Sequence, residues 1–566
     1  MKRILLPLLL LLVIPMAAAE RQPIWPKGKM PHSCDRQIAA MTDETGLPGF
    51  DPARHRIPYL EWFDAPKSPN GTCMILISGG SYMNCCDVKL IKKWREGLTA
   101  QGVQCVNFVY RTPRPEGLPY YQTAWEDGQR AVRMVRSQAA KRGFDPERIG
   151  VMGMSAGGHL TLLLATSSRT ETYSKIDALD DIPCHINLAV VNAPAYATSD
   201  AEQLGIRAPR EGYGPDVTLS SVFHFDDKTC PVSLHHGGVD PYSPNGSTLV
   251  YRKLHEMGVP AELHLYPGKG HGAFGFERAV EFMRQTGFME PLQAEEKLMD
   301  RFPRDLVKVS SCRQPLWPEG KTPDIQEGQD QPYIEWFIPS ELKTDAIQII
   351  YSGGGYNHSY PNDHEVVPAR RYLNEKGVAV VVLHYRTPRP AAPLAKHTTA
   401  WQDLQRAIRL VRSQASDKGL NPDKIGIMGS SAGGHLTLMG AVSSLHNSYL
   451  PVDEADKLPC NVQWGIAIYP AYVLDENGAL VPELSFDLNS CPLLLIHGDA
   501  DKYTSLGSVA IWEKMRSMGV QCELHTLALR NHCFQRTASP GTGSYTYLER
   551  IADFCLSAGS PCNRTF

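Results

Sequence analysis

Two serines stand in the same sequence setting, and both could act as nucleophiles. Ser155 lies in Gly-Met-Ser-Ala-Gly and Ser431 in Gly-Ser-Ser-Ala-Gly. Each motif follows an apolar run typical of a β-strand and precedes an apolar run typical of a helix. This context is that of a nucleophile elbow, in which glycines permit a turn too tight for a Cβ on either side of the serine. One such motif is weak evidence, but two with similar flanks predict two catalytic serines.

A serine hydroxyl needs a general base, and the base needs a third group that orients it. After each serine the chain supplies an aspartate past one predicted strand and a histidine past the next. The two sets are Ser155 with Asp240 and His271, and Ser431 with Asp501 and His532. Aspartate and histidine are 31 residues apart in both sets, which selects Asp501 over the neighbouring Asp499. The sequence therefore predicts two Ser-Asp-His triads.

Three other pairs of corresponding histidines are interpreted as structural. One pair lies inside predicted strands, one follows the serine within the helix, and one precedes the acid loop, where it would hold backbone. In that order they are His264 and His525, His159 and His435, and His236 and His497.

The oxyanion formed during acyl transfer needs amide donors in fixed positions. A Gly-rich turn follows a predicted strand upstream of each elbow, in residues 78–82 and 352–356. Such a turn can be merely a turn, but its position favours a functional role. The predicted oxyanion donors are Gly79, Gly80, Ser81 and Ala156 in the first set, and Gly353, Gly354, Gly355 and Ala432 in the second.

Internal repetition determines the predicted architecture. Residues 21–26, 58–63 and 110–115 recur as residues 313–318, 332–337 and 385–390. In both copies short apolar runs alternate with helical patterns, which predicts a mostly parallel sheet flanked by helices on both faces. We therefore expect an α/β protein with two tandem domains, 20–295 and 313–566, joined by a linker at 296–312.

The first 19 residues have the pattern of a secretory signal peptide, with Lys2 and Arg3, an apolar stretch, and Ala17-Ala18-Ala19 before the cleavage point. A membrane anchor is the alternative, but the apolar run is short for a bilayer span. We expect a secreted or periplasmic protein with no membrane attachment after cleavage. A net charge of −3 and a pI of about 6.7, without a basic block, argue against nucleic acid as a partner.

Fourteen cysteines in an exported chain permit disulfides. Two cysteines precede consecutive predicted strands in each copy, which predicts Cys184–Cys230 and Cys460–Cys491 bridges. Buried thiols are the alternative. The cysteine and histidine spacings do not suggest a metal site, and we expect no cofactor.

The elbow, the Ser-Asp-His order, the Gly-Gly loop and the repeated Tyr-Arg motif together resemble the α/β-hydrolase superfamily. Within it the chain is similar to acetylxylan esterase and feruloyl esterase-like carbohydrate esterases, over residues 22–290 and 313–560. The resemblance implies a serine carboxylesterase that removes acetyl or feruloyl groups from a polysaccharide or oligosaccharide such as xylan. One departure is that Ser78 and Ser352 stand where lipase-like relatives have His.

Two other functions stay open. A serine peptidase of the prolyl-oligopeptidase type shares the fold, although no propeller-like segment precedes either copy. One copy could instead be a non-catalytic glycan-binding domain. The copies also differ, because nucleophile and acid are 85 residues apart in the first and 70 in the second. The extra residues, around 204–222, should overhang the first pocket, so we expect related chemistry with different substrate preferences and a second pocket that admits bulkier substrates.

Overall fold

The computed structural model describes residues 20–32, 58–63, 66–85, 88–201, 212–214, 216–291, 313–537 and 547–558. The predicted signal peptide and linker lie outside these residues, as do residues 204–211 and 215 of the predicted overhanging loop. No helix in the described ranges is both long and apolar enough to cross a bilayer.

The first copy, residues 20–291, forms eight strands in the order β1-β2-β4-β3-β5-β6-β7-β8. Strands β3 to β8 are parallel, whereas β1 and β2 are antiparallel to their neighbours. The strands are β1 Glu20–Pro23, β2 Tyr59–Trp62, β3 Cys73–Ile77, β4 Gln104–Val109, β5 Ile149–Met154, β6 Leu188–Asn192, β7 Val232–Gly237 and β8 Ala261–Tyr266.

The second copy, residues 313–558, repeats this arrangement with the same pattern of parallel and antiparallel pairs. Its strands are β9 Arg313–Pro315, β10 Tyr333–Phe337, β11 Ile347–Tyr351, β12 Ala379–His384, β13 Ile425–Ser430, β14 Trp464–Ile468, β15 Leu493–Gly498 and β16 Cys522–Leu527. The expected α/β class and mostly parallel sheets are confirmed.

Helices cover both faces of the sheet. In the first copy they are α1 Val88–Ala100, α2 Gln122–Ser137, α3 Ala139–Arg142, α4 Ala156–Thr166, α5 Asn245–Glu256 and α6 Phe276–Gln285. In the second they are α7 Val367–Glu375, α8 Thr398–Gln414, α9 Ala432–Val442, α10 Leu506–Ser517 and α11 Tyr547–Ala558. Short 3₁₀ turns occupy Ala178–Asp181, Ser416–Lys418, Glu454–Lys457 and Phe534–Thr537.

Buried parallel strands are apolar on both faces, and successive side chains pack on opposite layers. On β3, Met74 packs in the cluster that contains α1 and α6 residues, whereas Ile75 packs in the cluster that contains α2, α4 and α5 residues. In the second copy, α7 and α11 cover one face of the sheet, and α8, α9 and α10 cover the other. This double cover holds the strand ends, where the predicted site residues lie.

The repeated Trp-Pro and Tyr-Arg motifs meet in a buried polar cluster. Trp25 Nε1 donates to Asp127 Oδ1 at 2.6 Å, and Arg111 Nε donates to the same oxygen at 2.8 Å. Trp317, Arg386 and Asp403 form the same arrangement in the second copy. A buried carboxylate is tolerated when it is paired and fully hydrogen-bonded, so these residues are fixed as a set. They attach the start of each copy to its α2 or α8 helix.

The two copies share one sheet, which the sequence did not predict. Strands β8 and β16 pair antiparallel, with Leu265 opposite Leu524 and His264 opposite His525. The Nδ1 atoms of the two histidines are 2.9 Å apart. The sixteen described strands therefore form a continuous sheet with an approximate two-fold relation about this histidine pair.

Candidate active site

The Gly-x-Ser-x-Gly motifs form the expected elbows. Ser155 follows β5 with φ 59° and ψ −125°, and Ser431 follows β13 with φ 56° and ψ −118°. Such a conformation is strained for a residue with a Cβ and persists only where its surroundings enforce it. A Cβ on Gly153 would lie 2.3 Å from the carbonyl oxygen of Gly157, and one on Gly157 would lie 2.5 Å from that of Ser78. The glycines are thus required by backbone contact.

The second triad is connected from end to end. Ser431 Oγ lies 2.7 Å from Nε2 of His532, and Nδ1 of His532 lies 2.7 Å from Oδ2 of Asp501. The Asp501 carboxylate also accepts the Tyr503 amide at 2.9 Å. This geometry places a base on the serine proton and an acceptor behind the base, which is the arrangement that activates a serine.

The first triad is connected only in part. Nδ1 of His271 lies 2.8 Å from Oδ2 of Asp240, and the His271 side chain is 26% exposed, against 15% for His532. Among the described residues, no hydrogen bond joins Ser155 Oγ to His271. The carboxylate and the base are therefore hydrogen-bonded to each other, whereas the base and the serine are not.

The aspartates of both predicted triads are ionised at neutral pH. Burial alone would raise the pKa of Asp240, but hydrogen bonds and charge from His236 and His271 together lower it to about 2. Burial likewise opposes the charge on Asp501, and His497 and His532 outweigh it, so that its pKa also lies below the ordinary value. A permanent carboxylate at this place can stabilise the imidazolium that forms when histidine takes the serine proton.

The Gly-rich loops lie against the nucleophiles. A Cβ on Gly79 would be 2.8 Å from Cβ of Ser155, and one on Gly353 would be 2.8 Å from Cβ of Ser431. The next residue in each loop has a positive φ angle, 130° at Gly80 and 111° at Gly354. None of the described residues accepts a hydrogen bond from the amides of Gly79, Gly80, Ser81 and Ala156, or of Gly354, Gly355 and Ala432. These amides are candidate oxyanion donors.

One predicted donor is already engaged. The Gly353 amide donates to Glu365 Oε2 at 2.6 Å, which removes Gly353 from the candidate oxyanion donors. The Glu365 carboxyl is 5% exposed, and burial raises its pKa. Its other oxygen accepts from Tyr469 Oη at 3.3 Å, and the Tyr469 ring packs on His532 with centroids 4.9 Å apart. Glu365 therefore supports both the loop and the base.

The structural histidines lie behind the sites. Nδ1 of His159 is 2.7 Å from Tyr82 Oη, and burial lowers the pKa of His159 to about 3, so the ring is neutral. His435 makes the same contact with Tyr356 at 2.8 Å. His236 Nε2 lies 2.9 Å from the Tyr242 carbonyl oxygen, in keeping with a role in holding backbone. These rings fix the Gly-rich loop and the acid loop.

The side chains around the two sites differ more than the backbone does. In the first copy Tyr120 packs on Tyr196, with centroids 4.7 Å apart. In the second copy Lys396 stands in the place of Tyr120, and its Nζ lies 3.6 Å from the centroid of Tyr472. A Cβ on Gly355 would be 3.5 Å from Tyr472 Oη, which places this lysine close to the Gly-rich loop. The first pocket is thus aromatic where the second carries a cation.

The predicted disulfides are wrong. Cys184, Cys230, Cys460 and Cys491 are all buried thiols, and the Cys184 thiol donates to the Ser168 carbonyl at 3.2 Å. Strand register explains the error. The pair of Ala189 and Val232 lies five residues after Cys184 but two residues after Cys230, so the cysteines are out of step along the strands. The second copy has the same offset.

The sequence did not reveal two residues that hold the loops of the second site. Glu365 lies in a stretch before α7 whose sequence and length differ between the copies, so comparing the copies did not reveal it. Asp499 was set aside as the neighbour of the catalytic acid, yet it accepts a hydrogen bond from Tyr251 of the other copy at 2.7 Å. Only the packing of the copies against each other gives Asp499 this contact.

Comparison with known proteins agrees with this geometry. The sequence matches the BD-FAE family over residues 63–254 and 335–470, which is more than half of the chain. The chain belongs to the BD-FAE family. Its match covers parts of both copies, and it confirms the expected relationship to α/β-hydrolase carbohydrate esterases.

Individual relatives are matched over shorter stretches. An acetylxylan esterase from Xylanibacter ruminicola is 33% identical over 140 residues, 25% of this chain and 25% of that protein. Endo-1,4-beta-xylanase B from Butyrivibrio fibrisolvens is 25% identical over 216 residues, 35% of this chain and 32% of that protein. The chain thus spans a quarter to a third of the length of these curated relatives.

Among solved structures, an acetyl ester-xyloside bifunctional hydrolase from Caldicellulosiruptor lactoaceticus is similar to 44% of this chain over 96% of its own, at 25% identity and a TM-score of 0.38. Esterase 2 from Thermogutta terrifontis is similar to 45% of this chain over 97% of its own, at 20% identity and a TM-score of 0.37.

Proposed function

We propose that this protein is a secreted serine carboxylesterase with two catalytic sites, each acting through an acyl-enzyme. The observation that carries the proposal is the hydrogen-bonded series Asp501–His532–Ser431 beneath a strained elbow, with unengaged amides beside it. Nucleophile, base, orienting acid and oxyanion donors are the full set that acyl transfer requires.

The second site supports the following sequence of steps. Ser431 Oγ attacks the ester carbonyl carbon while His532 Nε2 takes the hydroxyl proton. The carbonyl oxygen becomes an oxyanion, for which the amides of Gly354, Gly355 and Ala432 are the available donors. When the intermediate collapses, the C–O bond to the alcohol breaks and His532 returns the proton to the leaving oxygen. Water then repeats the attack on the acyl-serine and releases the carboxylic acid.

The first site is proposed to act in the same way through Ser155, His271 and Asp240. Catalytic hydrogen bonds are often long in a free enzyme and tighten when substrate binds. The lack of a hydrogen bond between Ser155 and His271 in the described structure is therefore compatible with activity. The donors here would be among the amides of Gly79, Gly80, Ser81 and Ala156.

The proposed substrates are acetyl and feruloyl esters on polysaccharides such as xylan. Support comes from family membership and from the similarity to an acetylxylan esterase and a xylanase. Secretion is proposed from the signal-like first 19 residues. Neither a cofactor nor a metal is part of the mechanism.

A specific observation favours a second candidate function. Because Ser155 and His271 lack a hydrogen bond among the described residues and His271 is the more exposed base, the first copy could bind glycan without hydrolysing it. The protein would then be a single-site esterase with a binding copy. The serine peptidase alternative gains no support from the family match.

The test uses Ser155→Ala, Ser431→Ala and the double variant, with acetylated xylan, a feruloylated oligosaccharide and 4-nitrophenyl acetate as substrates. We expect each single variant to keep part of the activity and the double variant to lose it on all three. Complete loss from Ser431→Ala alone supports the single-site candidate. Activity of the double variant at the wild-type level contradicts both triads.

A further inference from the structure

The seam between the copies reaches the loops that carry the catalytic aspartates. Asp240 lies between β7 and α5, and Asp501 lies between β15 and α10. Helices α5 and α10 meet across the β8–β16 seam, where Arg252 pairs with Glu513 at 2.8 Å. Each acid loop is therefore within reach of the other copy.

The first copy binds the second acid loop at two places. Tyr251, which is fully buried, donates to Asp499 Oδ1 at 2.7 Å and shares a hydrogen bond with Ser505 Oγ at 2.7 Å. His255 Nδ1 lies 3.1 Å from Asp499 Oδ1, and its Nε2 lies 3.1 Å from Thr504 Oγ1. Together these contacts tie down the loop just before and just after Asp501.

Position within the loop makes these contacts relevant to chemistry. Asp499 precedes Asp501 by two residues, and Thr504 and Ser505 follow it closely. Asp501 itself makes its short contact with His532 through a carboxylate held by the Tyr503 amide. A shift of the loop would move this carboxylate relative to the imidazole, and misplacement on the scale of 1 Å can cost about a hundredfold in rate.

The second copy makes the corresponding contact in the other direction. Arg516 Nη1 donates to Asn245 Oδ1 at 2.7 Å and to Ser243 Oγ at 3.2 Å, just after Asp240. Its guanidinium also lies 4.9 Å from the centroid of Tyr213, whose hydroxyl donates to the backbone carbonyl of Asp240.

These two sets of contacts are related by the approximate two-fold axis. Arg516 occupies in α10 the position that His255 occupies in α5, and Ser243 corresponds to Thr504, with residue numbers that differ by 261 in both cases. Different side chains thus make equivalent contacts in opposite directions, which indicates that the contact itself matters.

We propose that each copy positions the catalytic aspartate of the other. Tyr251 and His255 are positioning residues for the second triad, and Arg516 is a positioning residue for the first. Buried, mutually satisfied polar groups hold a site more firmly than an exposed loop could by itself. This inference rests on the proposed function, since it assumes that the triads hydrolyse esters.

The experiment measures each site separately in the full chain. Tyr251→Phe and Arg516→Met are each placed in the Ser155→Ala background, where only Ser431 acts, and in the Ser431→Ala background, where only Ser155 acts. We expect a crossed pattern. Tyr251→Phe should lower kcat about tenfold at the Ser431 site and less than twofold at the Ser155 site, and Arg516→Met should do the reverse.

Two further readouts separate positioning from general destabilisation. The loss at the Ser431 site in Tyr251→Phe should fall on kcat and leave KM unchanged, because a displaced carboxylate impairs the proton transfer and not the binding of substrate. Arg516→Lys should recover part of the first-site activity lost in Arg516→Met. Arg252→Gln is the matched control, because it removes a half-buried ion pair of the same seam and touches neither acid loop.

The outcomes are distinct. A loss confined to the copy that carries the substitution, an equal loss at both sites, or no loss overturns the proposal. If neither single-serine background hydrolyses esters, the proposed function itself fails, irrespective of Tyr251 and Arg516. If only the Ser431 site is active, the Tyr251 variant decides alone: a tenfold loss supports the proposal and an unchanged kcat overturns it.

Discussion

The two sites share their backbone geometry and differ in the side chains around it. Both serines have nearly the same φ and ψ, and both Gly-rich loops make the same close approach to the nucleophile. The lining has changed from Tyr120 and Tyr121 to Lys396 and His397. Steric necessity preserves the turns, whereas side chains facing substrate are free to diverge. The catalytic frame and the specificity of this fold are therefore separable.

The copies also differ in how completely each triad is assembled. His532 hydrogen-bonds both Ser431 and Asp501, whereas His271 hydrogen-bonds Asp240 but, among the described residues, not Ser155. In addition, Glu365 accepts the Gly353 amide beside the second Gly-rich loop, and no described carboxylate makes that contact with Gly79 in the first copy. The second site is thus the more preorganised in the absence of substrate, and the first would have to close around a ligand.

The largest effect should come from the orienting acids. We expect Asp501→Asn to lower kcat/KM at the second site by about 10⁴-fold, because the amide cannot stabilise the imidazolium and favours the wrong tautomer. Steady-state kinetics in the Ser155→Ala background measure this. Asp240→Asn in the Ser431→Ala background should cost less if the first triad is loosely assembled. Equal losses would remove the distinction between the sites.

The next effect concerns substrate charge. Lys396 and Lys502 add positive charge near Tyr472, and Glu483 offsets part of it. Arg389 does not distinguish the sites, because Arg114 lies near Tyr196 in the first copy. We expect Lys396→Tyr to lower kcat/KM about fivefold for esters that carry a carboxylate and to leave neutral esters unchanged.

The reciprocal substitution Tyr120→Lys is the matched control for this prediction. It should raise the first site's kcat/KM for the same anionic esters, and added salt should weaken both effects. An identical change for neutral and anionic esters would show that Lys396 acts through packing instead of charge.

A further effect is expected in acid stability. The Asp240 pKa of about 2 lies below its ordinary value of 3.8, so its ionisation stabilises the folded state above about pH 4 and this contribution is lost as pH falls through 2. The shift corresponds to about 2 kcal/mol of unfolding free energy. Urea unfolding of wild type and Asp240→Asn between pH 7 and pH 2 should show a gap that closes as pH falls. A gap independent of pH would contradict the assignment.

The smallest effect should come from Glu365. We expect Glu365→Gln to change second-site kcat less than about threefold, because an amide oxygen can accept the same Gly353 hydrogen bond. Glu365→Ala should lower it further, since the loop loses that anchor. Single-turnover kinetics in the Ser155→Ala background compare the two. If both variants match the wild type, Glu365 does not hold the loop.

Sequence alone predicted what the chemistry and the repeat both specify. The elbows, the order of the triads and the α/β class followed from glycine spacing, the 31-residue register and the alternation of strands and helices. The prediction of a Cys184–Cys230 bridge was wrong, because adjacent parallel strands begin at the same edge of the sheet but not at the same register. Glu365 and Asp499 could not be found from the sequence. Glu365 lies in a stretch that differs between the copies, and Asp499 acquires its partners only when the copies pack together.

Strand pairing at the seam also determines which strand edges remain open in the described part of the chain. β8 and β16 are six residues long, and each would otherwise present a full row of unpaired amides and carbonyls. Their union leaves β1 and β9, of four and three residues, at the two ends of the sheet. Such short ends are poor templates for the addition of another strand. We therefore expect the chain to resist edge-to-edge aggregation at high concentration, because β8 and β16 cover each other.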